Sequence, residues 1–136
     1  MKLNALKIDS AKAEAGTWVA VPEFGDLELK VRGINNADYR RRMAELIRAV
    51  PRHQRPGGRL AIEQSDAINA TLLLETVLMD WRRLEGDDGA PIPYSAERAR
   101  DLLTNPDYLP FRQAVVEAAS RLAEDVADEV EDDAKN

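Results

Sequence analysis

The sequence predicts a mainly helical α+β domain, in which a short N-terminal β-hairpin precedes about four helices. Its length of 136 residues lies near the commonest size of a single domain. Residues 27–32 alternate between apolar and charged side chains, as a half-exposed strand does, whereas later segments repeat apolar residues every three or four positions, as helices do. Apolar residues make up 44% of the chain and aromatic residues only 5%, so aliphatic side chains must build most of the core.

One domain with four consecutive parts is expected. The parts are a flexible N-terminus at residues 1–16, a β-hairpin at 17–33, a helical core at 34–130 and an acidic, frayed tail at 131–136. The first part is rich in lysine and alanine, and residues 11–15 could form a turn of helix within it.

The predicted hairpin pairs the β-prone residues 17–21 with the alternating residues 27–32. Pro22 stops the first strand, and Phe24-Gly25-Asp26 supplies turn residues. Because an isolated hairpin is only marginally stable in water, this one must lie on the helices or pair with another chain.

The first predicted helix begins at a cap formed by Asn35 or Asn36 and ends at Pro51. Residues 52–59 have no periodicity and contain a Pro-Gly-Gly sequence, which indicates a flexible loop. The helix has a single apolar stripe, formed by Tyr39, Met43, Leu46, Ile47 and Val50.

A second helix is predicted from residue 62 or 65 to residue 84. Its apolar side chains cover much of its circumference, which is typical of the central helix of a domain. Arg82 and Arg83 would lie in its last turn, where the helix dipole favours positive charge.

Residues 81–95 predict a stiff joint between the second and third helices. Trp81 and Tyr94 should wedge these helices at a fixed angle, with Pro91 and Pro93 stiffening the crossing. Ser95 caps the third helix, which ends before Pro106. The last helix begins near Pro110, and we expect it to form the core with the second helix; its apolar positions are Phe111, Val115, Ala118, Leu122, Val126 and Val130.

The residue types argue against an enzyme, a metal site or a bound cofactor. The chain has no cysteine and a single histidine, His53, which removes thiol chemistry, disulfides and a multi-histidine metal site. Asp87-Asp88-Gly89 resembles part of a calcium loop, but residues 90–93 place Ala, Pro and Ile where ligands would be needed, so a turn is expected. Phosphate-binding glycine loops and hydrolase motifs are absent from the sequence.

The sequence favours a soluble, cytoplasmic protein. Its N-terminus is too polar for a signal peptide, and no apolar run approaches the roughly 20 residues needed to span a bilayer. The net charge of −6 also disfavours a general nucleic-acid binder.

The basic stretch between Arg40 and Arg59 is nevertheless a candidate binding surface. It contains seven arginines and a single acid, Glu45, and Arg40 and Arg41 are its first candidate contacts. It could contact phosphates. A solvated face, or one that meets an acidic partner or the chain's own acidic tail, is the favoured interpretation because no aromatic residues are interleaved.

The stripe of the last helix allows two interpretations. It can pack against the second helix, or it can bind a partner segment or a second copy of the chain, since helix-in-groove recognition uses such spacing. The candidate partner-binding residues are Val115, Ala118, Leu122 and Val126.

The ordered string of motifs resembles the tail assembly chaperones of long-tailed bacteriophages and prophages. A helix ending in Val77-Leu78-Met79-Asp80-Trp81 runs into the segment from Gly86 to Ser95. Leu102-Leu103, Asn105-Pro106 and an alanine-rich helix after Phe111 follow. At the N-terminal side, residues 27–33 form a short β segment before a helix with Tyr39 and clustered arginines.

This resemblance implies a non-catalytic morphogenesis factor. Such proteins bind the tape measure protein, and often tail tube subunits, and keep them soluble until the tail polymerises. Many also exist in a longer, frameshifted form, and the family has no active site whose residues could be transferred. Two alternatives remain open: a small nucleic-acid-associated regulator that uses Arg40 to Arg59, and a structural connector retained in the virion.

Overall fold

The computed structural model describes residues 1–122. Within this range it contains five α-helices, where about four were expected, and three strands, which confirms the mainly helical α+β class. In chain order the elements are α1 (Ser10–Ala15), β1 (Thr17–Ala20), β2 (Glu28–Val31), α2 (Ala37–Ala49), α3 (Ile62–Leu72), β3 (Leu78–Arg82), α4 (Ala96–Thr104) and α5 (Leu109–Leu122).

The strands form one antiparallel sheet in the order β1–β2–β3, with β2 at the centre. β1 and β2 make the predicted hairpin, in which Val19 is the partner of Leu29, but α1 precedes it, so the hairpin is not the N-terminal element that was expected. Leu29 and Val31 are fully buried, while the alternate residues Glu28 and Lys30 are only half-buried. One face of the hairpin therefore lies in the core, as the period-two pattern predicts.

β3 corrects the prediction for residues 73–84, which were expected to complete the second helix. The α-helix ends at Leu72, a π-helical turn follows (Leu73–Val77), and β3 then pairs with β2. The apolar residues of this segment suit a helix or a strand equally. Pairing with β2 decides the outcome, because it satisfies main-chain groups that a two-stranded hairpin leaves exposed. A strand consequently lies inside the range 34–130, for which helices alone were predicted.

Arg82 consequently does not lie at a helix C-terminus, contrary to the prediction. Its guanidinium donates a hydrogen bond to Oε2 of Glu28 on the neighbouring strand at 2.7 Å. It also lies over the ring of Trp18, 4.1 Å from the ring centroid. These contacts link all three strands on the face of the sheet opposite to Leu29.

The core lies between the sheet, the π-helical turn and the last two helices. α5 packs on β2, α4, the π-helical turn and α1. The sequence pattern predicted packing against the second helix alone. Alanines on the inner face of α5 allow this close approach to the sheet. The buried residues of α5 are Ala114, Val115, Ala118, Ala119 and Leu122.

The second half of the N-terminal segment is attached to the domain. Ala13 in α1 is buried, and its carbonyl accepts a hydrogen bond from the N–H of Gly33 at 2.8 Å. A Cβ atom at position 33 would lie only 2.7 Å from the Cβ of Ala13, so this approach requires glycine. The carboxylate of Glu14 also accepts hydrogen bonds from the N–H of Ala37 and from Arg32. The expected mobility of residues 1–16 stays a prediction, but Ser10–Ala15 form a helix with defined partners.

The two predicted helix caps are present. The side chain of Asn36, and not that of Asn35, caps α2 by accepting from the N–H of Tyr39, and Ser95 caps α4 by accepting from the N–H of Arg98. Val126, Val130 and the acidic tail at 131–136 lie outside the described residues.

Candidate partner-binding groove and arginine surface

Trp81 is the centre of an aromatic cluster that joins the sheet to α4 and α5. The residue is 4% exposed, and its indole N–H donates to the carbonyl of Ile92 at 2.8 Å. Its ring makes edge-to-face contacts with Tyr94 at 4.9 Å and Phe111 at 5.8 Å between centroids. The predicted wedge of Trp81 and Tyr94 is therefore present, but it starts from a strand and not from the end of a helix.

The loop after β3 folds back as a narrow turn. The N–H of Ile92 donates to the carbonyl of Leu84 at 2.8 Å, and Gly89 has a φ of +80°, which favours glycine. The carboxylate of Asp88 accepts from the N–H of Ala90 at 3.0 Å. This internal hydrogen bond agrees with a turn at Asp87-Asp88-Gly89.

An open groove lies in front of the aromatic cluster. We call it the apolar groove, and its volume is about 550 Å³. Phe24 and Tyr108 are 46% and 50% exposed at its edges, and Arg83, Arg98 and Asp107 provide charged groups at the same site. Its apolar walls are formed by Phe24, Leu27, Leu84, Ile92, Leu102, Tyr108, Pro110 and Phe111.

Sequence reasoning missed this groove. The sequence pattern assigns Phe24 to a turn and places Tyr108 just before the last helix, which is predicted to begin near Pro110, and neither position suggests binding. The available signal was the rarity of aromatic residues: all of them except Trp18 and Tyr39 lie in the aromatic cluster or the apolar groove. Exposed aromatic side chains around a concave apolar surface are suited to bind apolar anchors of another protein.

The stripe proposed on the last helix lies elsewhere. Val115 and Ala118 are fully buried and Leu122 is almost so, in contact with the core described above. A partner reaches them only if α5 leaves the sheet. Their binding role stays a prediction, and the fourth candidate, Val126, lies outside the described residues.

The basic stretch is exposed, and part of it is already paired. Arg41 contacts Asp38 at 2.8 Å, and Arg42 contacts Glu75 at 2.7 Å. The other five arginines of the stretch 40–59 have no carboxylate within ion-pair distance among residues 1–122. We call them the arginine surface: Arg40, Arg48, Arg52, Arg55 and Arg59.

The perturbed titrations come from ion pairs and burial. A hydrogen bond from Arg32 lowers the pKa of Asp38, and one from Arg82 lowers the pKa of Glu28. Burial, assisted by the charge of Asp80, raises the pKa of Tyr94. Among the described residues no group of three or more His, Cys, Asp or Glu side chains is placed to hold a metal ion.

The comparison with protein families decides the origin of the chain. Residues 34–136, about three quarters of the sequence, match the family described as YdaY prophage protein. The chain belongs to this family. The prophage origin implied by the resemblance is thus confirmed. The search of the curated proteins and the search of the solved structures returned no significant match.

The family match covers most, but not all, of the two surfaces of this prophage protein. It begins at Ile34, so it includes the whole arginine surface and the groove walls contributed by α4, α5 and the loop after β3. Phe24, Leu27 and the hairpin precede it. No helix in the described part of this prophage protein is long and apolar enough to cross a membrane.

Proposed function

We propose that this prophage protein is a tail assembly chaperone that acts without catalysis in the cytoplasm of the bacterial host. It binds an apolar segment of the tape measure protein, the tail tube protein or both, and keeps that segment soluble until the tail polymerises. The observation that supports this most directly is the apolar groove, with the exposed rings of Phe24 and Tyr108 at its edges.

The groove suits the anchor side chains of a partner helix. The groove is open, and its volume of about 550 Å³ is that of a typical small-molecule site, so it holds a few side chains and not an entire helix. Leucine or phenylalanine residues spaced by three or four positions would enter it together. Each 100 Å² of apolar surface removed from water contributes about 2.5 kcal/mol before the costs of association.

The charges around the groove fit a reversible holding function. Arg83 and Arg98 lie at the groove together with Glu85 and Asp107, so a partner segment meets both signs of charge beside the apolar wall. The net charge of −6 opposes aggregation of the complex. The groove replaces the stripe of the last helix as the favoured surface, since Val115, Ala118 and Leu122 of that stripe are in the core.

The test is co-expression with the tape measure protein of the same prophage. Soluble complex should form with the wild-type chain and fall strongly with the double variant Phe24→Ala/Tyr108→Ala, because both side chains are exposed and contribute little to the core. Leu109→Ala is the matched control: Leu109 is 49% exposed, like Phe24 and Tyr108, but does not line the groove. Absence of a complex with the wild-type chain, or equal losses in control and double variant, would contradict the proposal.

A nucleic-acid-associated regulator is the second candidate function. It is favoured by one observation, the arginine surface without carboxylate partners among residues 1–122. Salt-dependent retention on duplex DNA, lost in Arg40→Gln/Arg48→Gln, would support it.

A structural connector is the third candidate. Mass spectrometry of purified phage particles distinguishes it from a chaperone: a connector is present in the particles, whereas a chaperone is absent from them.

A further inference from the structure

The chain combines a basic surface with a strongly acidic segment. Seven carboxylates lie between residues 124 and 133, beyond Leu122, the last residue that the structure describes. The arginine surface, in contrast, has no carboxylate partner within residues 1–122. Arg40, Arg48, Arg52 and Arg59 on it are exposed.

Arg55 indicates that an acceptor belongs at this surface. Among residues 1–122 its Nε–H is buried and has no hydrogen-bond partner. An unsatisfied buried donor is destabilising, so an acceptor that reaches it stabilises the folded chain. Arg52, Arg55 and Gly58 line an open hollow of about 310 Å³ beside it. Two guanidinium groups around one hollow suit a carboxylate, whose two oxygens match the planar fork of arginine.

The acidic segment is long enough to reach this hollow. Near the C-terminal end of α5, the carbonyl of Ala119 accepts from the N–H of Ile34 at 3.4 Å, just before α2 begins. The end of α5 therefore lies close to the start of α2. From Leu122 to Asp133, the last carboxylate, an extended chain spans up to about 36 Å, whereas α2 is only about 20 Å long.

We propose that residues 124–133 bind the arginine surface of the same chain, with a carboxylate accepting hydrogen bonds from Arg52 and Arg55. A tethered segment has the advantage of a high effective concentration over a free anion. Nucleic acid would also have to approach a chain of net charge −6. The acidic segment thus shields the arginines, and an external polyanion binds only after displacing it.

Paramagnetic relaxation tests the contact in the full-length chain. The chain has no cysteine, so Ala134→Cys gives a single site for a nitroxide label. We expect loss of NMR signal for the backbone amides of residues 48–59 at low salt, and recovery at about 1 M salt, where the Debye length is about 3 Å. Mixing labelled, unenriched chains with unlabelled, ¹⁵N-enriched chains should give no loss. A loss in the mixture equal to that in the single species would assign the contact to a second copy and overturn the proposal.

Three variants identify the contact. Changing the seven carboxylates to amides, or making Arg52→Gln/Arg55→Gln, should restore the signals, whereas Arg98→Gln/Arg100→Gln removes the same charge from α4 and should not. Signal loss centred on the apolar groove would overturn the proposal.

Binding of a DNA duplex provides the second readout. The seven-amide variant should bind the duplex more tightly than the wild-type chain, with Arg52→Gln/Arg55→Gln in the same background reversing the gain. Equal binding by the wild-type chain and the seven-amide variant would show that the segment does not shield the arginines, and would overturn the proposal.

Discussion

Trp81→Ala tests whether the aromatic cluster holds the sheet against α4 and α5. The change removes an almost fully buried ring, its edge-to-face contacts with Tyr94 and Phe111, and the donor to the carbonyl of Ile92. Large-to-small substitutions of buried tryptophan cost about 3–5 kcal/mol, a range that already includes part of the lost ring contacts. We expect the free energy of unfolding to fall by about 4 kcal/mol, a large fraction of the roughly 5–15 kcal/mol of a typical domain.

Trp81→Phe separates the hydrogen bond from the packing. The smaller ring still fills most of the site, but the carbonyl of Ile92 loses its donor. The expected cost is about 1–3 kcal/mol. Trp18→Phe is the matched control: Trp18 is half-buried and lies under the guanidinium of Arg82, a contact that contributes about 0.5–1 kcal/mol at most and that phenylalanine partly keeps.

Urea unfolding followed by far-ultraviolet circular dichroism measures these differences. The midpoint should move to lower urea in the order Trp18→Phe, Trp81→Phe, Trp81→Ala, with the slope m unchanged. Two results would refute the reasoning. One is a loss below about 1 kcal/mol for Trp81→Ala, which is too small for a buried tryptophan. The other is equal losses for the two phenylalanine variants.

Three further changes test how the N-terminal part is attached to the helices. Asn36→Ala removes a helix cap and the side-chain amide that donates to the carbonyls of Gly33 and Thr76, so unfolding should become easier by about 1–3 kcal/mol in urea titrations; an unchanged midpoint would argue against this linkage. Gly33→Ala should lower the thermal midpoint, because its new Cβ meets Ala13 at 2.7 Å, and Gly33→Ala/Ala13→Gly should recover most of the loss if that contact is the cause. The pKa of Asp38 is lowered by Arg32, so this pair stabilises the fold above the ordinary aspartate pKa of about 3.9 and stops doing so as pH falls through the lower folded value. The stability difference between wild type and Asp38→Asn should therefore be largest near neutral pH and shrink in acid; a difference that grew in acid would reverse this assignment.

Light scattering tests directly whether the last helix joins two chains. The sequence left open whether the stripe of Val115 and Leu122 joins two chains, and the structure places both side chains in the core. We expect the mass measured by light scattering to be insensitive to Val116→Ser, since Val116 is only half-buried on α5. A drop from dimer to monomer in that variant would show that the outer face of α5 joins two chains.

Where neighbouring residues decide the backbone conformation, the sequence was sufficient to predict it. The alternation of residues 28–31 predicts a strand with one buried face, and Asn36 and Ser95 cap the helices that follow them. Trp81 could also be assigned to a buried joint, because exposing a large apolar ring beside Gly- and Pro-rich turns to water is unfavourable. The prophage origin followed from the order of these motifs, and the family match confirms it.

The tertiary structure decided what depends on contacts between distant segments. Residues 78–82 have a pattern compatible with a helix, and only hydrogen bonds to β2, about fifty residues earlier, make them a strand. The apolar groove likewise combines Phe24 with Leu84, Tyr108 and Phe111, whose proximity no local pattern encodes. Burial of Val115 and Leu122 also depends on the sheet beneath them. The sequence by itself determined the caps, the turns and the alternation, because each depends on neighbours along the chain. Which apolar residues remain open to a partner was decided by packing, because exposure is a property of the assembled layers.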